Sequence, residues 1–255
     1  MPGCELPESL RQYYLDTLGI TNWRLQQPLA VADSVVDEVA DVVVDQAILP
    51  DVAPLADKAE DVDVAQDDDW RDLQQAVSQC QLCEELAQSR KQTVFGVGNR
   101  QADVLVIGEA PGHDEDAQGE PFVGRAGQLL NAMLAAIDLP REQVFIANIL
   151  KCRPPNNRDP SPQEAQNCRA FLQRQIALIQ PKVIFVVGRI AAQNLLDTDM
   201  KIGKMRGRDY QYQDENTGPI PVIVTYHPAY LLRQPGEKRK SWQDLLRLRA
   251  LMQSW

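Results

Sequence analysis

DVLVIGEAPGHDEDAQGEPFVGRAGQLL, residues 103–130, decides the reading of the fold. DVLVI is a short β-branched apolar run, the pattern of a strand buried on both faces. Gly108, Pro111 and Gly112 then break the chain, and AGQLLNAMLAAIDL (126–139) resumes with helical spacing. Three more apolar runs, Val144–Ile149, Val183–Val187 and Pro221–Thr225, alternate with helical stretches at 161–180, 189–197 and 241–253. The alternation predicts an α/β fold: a four-stranded parallel sheet with helices on both faces. Ligands of such folds bind beyond the carboxyl ends of the strands.

The unusual residues lie at those ends. The first strand runs into Gly108–Gly112, a loop whose backbone can approach a planar ligand closely. The second ends at Asn148 and continues ILKCRPPNNRDP (149–160), and the fourth runs into YHPAYLLR (226–233). Neither GxxxxGK[ST] nor GxGxxG is present, and Glu109, Asp114, Glu115 and Asp116 would repel a pyrophosphate. Of the two histidines, His113 reads as a solvated loop residue among acids. His227 reads either as a packed turn residue or as a hydrogen-bond donor to a developing oxyanion.

Cys80, Cys83, Cys152 and Cys168 form a C-x2-C-x68-C-x15-C pattern. In a reducing compartment four such thiols point to one metal site, zinc or iron–sulfur. Cys4 has no evident partner.

The net charge of −10 is unevenly spread. Residues 1–70 hold sixteen Asp and Glu against three Lys and Arg, a net of −13; residues 71–255 hold twenty against twenty-three, a net of +3. The main body therefore allows a phosphate-binding face. Residues 30–69, rich in Asp and free of aromatics from Val31 to Asp69, read as a disordered acidic linker. From Trp70 a helix is expected to run into the CxxC. No apolar run approaches the ~18 residues of a membrane span, and MPGCELPESLRQ lacks a secretion signal pattern, so a soluble cytoplasmic protein is expected; a monomer is a separate expectation.

The CxxC, GEAPGxxED with PFVGRAGQLL, N-x3-CRPPNNR, the fourth cysteine and HPAYLL together resemble the family 4 uracil-DNA glycosylases, the iron–sulfur branch of that superfamily, from Leu73 to Trp255. The resemblance implies a three-layer α/β/α sandwich and a [4Fe–4S] cluster on Cys80, Cys83, Cys152 and Cys168. The implied reaction is hydrolysis of the N-glycosidic bond of a uracil flipped out of DNA. Phe122 would stack on the uracil, Asn148 would read its O4 and N3 edge, and His227 would bond O2 as the base leaves as an anion. Gly108, Ala110 and Gly112 would line the pocket. The best-known uracil glycosylases carry Asp where this chain has Ala110, so Glu109 or Glu115 would position water, Glu109 being favoured as the first acid after the strand. Leu231 or Leu232 would wedge into the gap left by the flipped base, beside Arg233 on the DNA, or else the leucines start the next helix; Lys151, Arg153 and Arg158, with Lys204, Arg206 and Arg208, would contact phosphates.

A second resemblance lies in YLDTLGITNWRLQQP, similar to the N-terminal peptide of the psi subunit of the DNA polymerase III clamp-loader complex. It implies that residues 1–29 form a docking peptide. Two other readings of the whole chain are a non-catalytic cluster-bearing replisome adaptor and a covalent uracil-DNA binder. An intact Phe122, Asn148 and His227 weighs against the first; the absence of an extra histidine-bearing basic loop weighs against the second.

Overall fold

The computed structural model describes residues 61–255. The expected docking peptide (1–29) and linker residues 30–60 lie outside the described residues. Helix α1 (Asp61–Ser78) starts nine residues before the expected boundary at 70 and stops before Cys80, so the CxxC is a turn leading into α2 (Glu84–Ser89). Asp67 and Asp69 in α1 pair with Arg100 and Arg174. Trp70 packs against Phe95 and Phe145.

The sheet contains β1 (Val97–Gly98), β2 (Val104–Gly108), β3 (Phe145–Asn148), β4 (Val183–Val187), β5 (Tyr210–Asp214) and β6 (Thr217–Thr225). Their order is β1-β3-β2-β4-β6-β5. The central β3-β2-β4-β6 strands are parallel, as the apolar runs predict. The four-stranded expectation is corrected at both edges, where β1 and β5 add antiparallel pairs.

Side chains alternate between the two layers. Val104, Val106, Ile146 and Phe185 face α4 (Arg125–Ala135), α8 (Pro228–Arg233) and α9 (Lys238–Met252). Leu105, Ile107, Ala147, Ile184 and Val186 face α1, α5 (Pro162–Ile179) and α6 (Arg189–Leu195). Two small helices complete the chain, α3 (His113–Gln118) and α7 (Ile202–Met205). Ser161 caps α5 in a capping box with Glu164. Because β2 feeds a helix on one face and β4 a helix on the other, their carboxyl ends part into a crevice. No described helix is long and apolar enough to cross a membrane.

One buried ion pair braces the crevice from behind. Arg206 Nε donates to Asp244 Oδ2 at 2.6 Å, and a second nitrogen donates to the Lys240 carbonyl. The guanidinium also lies 4.5 Å over the Tyr226 ring. Arg206 is thereby committed inside the protein and is removed from the expected phosphate contacts. Arg206→Met leaves the Asp244 carboxylate buried without its partner, so unfolding by urea at pH 7 should show a loss of roughly 3 kcal/mol. A loss below about 1 kcal/mol would contradict the role given to the pair.

Candidate active site

The site is built on one close approach. Strand register sets Gly108 beside Asn148. A Cβ on Gly108 would stand 2.3 Å from Asn148 Oδ1 and 2.6 Å from the Phe122 ring, so only glycine lets these side chains meet. Phe122 holds a left-handed backbone, φ 55°, rare for a bulky residue. Arg141 secures that turn by donating to the Pro121 carbonyl at 2.6 Å and the Phe122 carbonyl at 3.4 Å. Gly127 clears the space, since a Cβ there would fall 1.7 Å from the Phe122 oxygen.

His227 arrives from the end of β6, its ring centroid 5.7 Å from that of Phe122 with 29° between planes. Gly188 (φ 110°), after β4, makes room for it. The Ala229 N–H donates to His227 Nδ1 at 3.1 Å. Nδ1 is thus an acceptor, and in the neutral ring Nε2 carries the proton. Burial, with Arg233 nearby, pushes His227 down to about 4, so the ring is neutral at physiological pH.

Phe122, Asn148 and His227 line a single cavity of about 740 Å³ with Glu109, Ala110, Pro111, Gly112 and Glu115. Gly108 lies behind this lining. Asn148 is 2% exposed, and its Oδ1 has no hydrogen-bond partner. A buried amide oxygen without a donor is costly and marks a place for a ligand N–H. Burial raises Glu109 to about 7; Asp159 raises it further and Arg189 opposes. Glu115 sits against the Gly112 backbone and lies 3.5 Å from the Gly124 N–H. His113 is exposed beside Asp114.

The end of β4 supplies residues that the sequence pattern did not mark. Arg189 and Ile190 follow β4 and line the cavity with Asp159, Tyr226 and Tyr230. Arg189 pairs with Asp159 at 2.7 Å, and Tyr226 packs on Tyr230. Applying the strand-end rule to Gly188-Arg189 would have found the first two.

The expected DNA contacts divide. Leu231 is 1% exposed in the core beneath α8 and is corrected to a packing residue; Leu232 is 37% exposed and free to reach outward. Arg233 is exposed and lines the cavity; Lys204 and Arg208 are exposed but are not among the cavity-lining residues, and Arg153 is half-buried and donates to Asn157. Lys151 is corrected to a buried residue, 1% exposed. Arg158 is engaged by Glu164 and Glu85, which hold its charge inside the protein's own network.

Cys80, Cys83, Cys152 and Cys168 are all free thiols. Three of them gather with Leu86 and Leu150, next to the Ala110 loop. Arg90 donates to Cys152 Sγ at 2.8 Å and Asn167 to Cys83 Sγ at 3.3 Å. Burial holds the Cys168 thiol up at about 11, while the Lys151 backbone N–H pulls it down. Among the described residues no group of three or more His, Cys, Asp or Glu side chains already stands as a ligand set for a metal ion. The donor set itself suits a soft metal centre: four thiols with N–H donors and cations facing sulfur.

The model of the uracil DNA glycosylase superfamily matches residues 95–246. The type-4 uracil-DNA glycosylase of Archaeoglobus fulgidus is 44% identical over 185 residues, covering 71% of this chain and 92% of its own. That of Saccharolobus solfataricus is 43% identical over 183 residues, covering 70% and 84%. That of Thermotoga maritima is 42% identical over 162 residues, covering 63% and 82%. With a sheet, a strand-end cavity and relatives that agree, the chain belongs to the uracil-DNA glycosylase superfamily, among its type-4 members.

Proposed function

We infer that the cavity takes one uracil turned out of DNA and that the protein hydrolyses its N-glycosidic bond, as a uracil-DNA glycosylase acting in DNA repair. The observation that carries the reading is the unpartnered Asn148 Oδ1, buried at the floor of the cavity that Phe122 and His227 also line. Uracil N3–H would donate to that oxygen, and O4 would accept from the amide Nδ2. Cytosine presents an amine at position 4 and an unprotonated N3, so it would leave both amide atoms mismatched.

The rest of the chemistry follows from charge. As the bond to deoxyribose lengthens, electrons collect on the base and the sugar becomes cationic. His227, neutral with Nε2–H free, would donate to O2 and hold the anion without contributing a positive charge of its own. Glu109, near half-ionised at pH 7, would accept a proton from the attacking water and stabilise the sugar cation. Glu115 is the second carboxylate placed for that work. Leu232 would fill the vacated stack, with Arg233 and Arg153 against phosphates.

The cysteine site fits a [4Fe–4S] cluster that Cys80, Cys83, Cys152 and Cys168 would hold, supplying a covalent staple between the CxxC turn, the β3 loop and α5. Residues 1–29 are proposed to dock on a clamp-loader complex and residues 30–60 to tether them; that proposal rests on the sequence resemblance alone. A cytoplasmic location fits a cysteine site that needs a reducing compartment.

Incubation with a uracil-containing oligonucleotide followed by alkali should cut the strand at U; an intact strand would overturn the assignment in favour of an adaptor. Asn148→Ala should lower the excision rate on the order of 100-fold with the fold retained, and Asn148→Asp should gain activity on cytosine; unchanged rates in both would remove the reading role. The acid form of Glu109 cannot take a proton, so single-turnover rates should climb with pH and level off above about 7. His227 stays neutral until about 4 and adds no second limb above that. Glu109→Gln should erase the climb, and a surviving limb near 7 would assign it elsewhere. Cys152→Ala should lose the brown visible absorption and lower the melting temperature; a colourless, zinc-bearing wild type would overturn the cluster.

A further inference from the structure

Lys151 is among the largest fully buried side chains. Burying an ammonium group costs several kcal/mol unless it is well bonded, and an apolar side chain of equal length would fill the space without that cost. Its contacts show what the buried amine is used for. Nζ donates to the Asn148 carbonyl at 3.0 Å and to Gln175 Oε1 at 2.6 Å. Gln175, fully buried on α5, passes the connection on by donating to the Phe95 carbonyl at 2.9 Å. The Lys151 backbone is equally committed: its carbonyl accepts from Val94 N–H at 2.8 Å, and its N–H faces the Cys168 sulfur. Cys152 follows directly in the chain. The chain just before Lys151 is also pinned, with Ile149 N–H on the Gly108 carbonyl and Leu150 N–H on the Glu109 carbonyl, both at 3.0 Å.

Three residues therefore separate the pyrimidine-reading Asn148 from Cys152, and one buried side chain, rooted next to Cys152, grips both the Asn148 carbonyl and Gln175 of α5, the helix that carries Cys168. We propose that Lys151 is a positioning residue that ties the cysteine-bearing loop and α5 to the strand end carrying Asn148, so that the state of the thiol site is transmitted to pyrimidine binding. The proposal rests on the reading of Asn148 as the residue that binds uracil. Disturbing the Cys152 loop moves the anchor of Nζ; moving the anchor lets the Asn148 carbonyl shift, and its side chain with it. Asn148 has no other side-chain hydrogen bond to oppose that shift at Oδ1.

The test uses the full-length holoprotein and three readouts: visible absorption per chain, affinity for free uracil by calorimetry, and affinity for DNA holding an abasic site, which presents no base to Asn148. Lys151→Met should keep the absorption and the abasic-DNA affinity while weakening free uracil about tenfold. A purely structural lysine would lower the melting temperature and leave uracil affinity unchanged, and that result would overturn the proposal. Gln175→Leu, which touches no cysteine and keeps the lysine, should also weaken uracil with absorption intact. It decides the matter if Lys151→Met fails to fold or loses its colour; wild-type uracil affinity in Gln175→Leu would then overturn the proposal. Asn148→Ala is measured beside them. If it binds uracil normally, the pyrimidine reading itself is wrong and the proposal falls with it; if it binds weakly while Lys151→Met and Gln175→Leu bind normally, only the coupling is wrong.

Discussion

A missing side chain sets the geometry of this protein. At Gly108 the chain passes so near Asn148 and Phe122 that one methyl group would collide with both. That proximity lets an amide from β3 and an aromatic ring from the turn between α3 and α4 form one wall. Around it stand other positions where only glycine fits: Gly127 under the Phe122 turn, and Gly188 against His227. The sheet supplies rigidity and the glycines supply closeness, so the site is held by packing rather than by loops free to adjust.

Burial then separates the behaviour of the two titrating groups. The same desolvation that removes the proton from His227 at physiological pH keeps it on Glu109 up to about 7. A neutral donor and a carboxylate poised near its midpoint can serve opposite ends of a breaking bond. Arg189 and Asp159 stand across from Glu109 with opposing effects on it. Tyr226, beside His227, is held from behind by the Arg206–Asp244 pair, so the core also buttresses the cavity.

The parallel strands were legible because buried strands must be apolar throughout, and DVLVI and VIFVV admit little else. The edges were not. β1 has two residues, and β5 alternates Tyr and Gln with only Tyr212 buried, too little pattern to separate from a loop. The start of α1 was hidden because an Asp-rich stretch resembles a solvated tether; the partners of its mid-helix Asp67 and Asp69 are distant in sequence, Arg100 and Arg174. Asn148 and His227 could be singled out because they flank strand ends, and Phe122 through the PFVGR stretch that carries the family resemblance. Lys151, Arg158 and Leu231 misled for the opposite reason. Their residue types belong on a DNA-facing surface, but their strand-end loops curl back, and only coordinates reveal the carbonyl, carboxylates and core that receive them.

In the site as assigned, one extruded pyrimidine rests its face on Phe122, its N3–O4 edge on the Asn148 amide and its O2 toward His227 Nε2. A crystal structure with duplex DNA carrying 2′-fluoro-2′-deoxyuridine, whose glycosidic bond is slow to break, tests it directly. The uracil ring should lie inside the strand-end cavity with N3 within hydrogen-bond distance of Asn148 Oδ1. A uracil left in the stack, or held elsewhere with Asn148 Oδ1 still unpartnered, would contradict it.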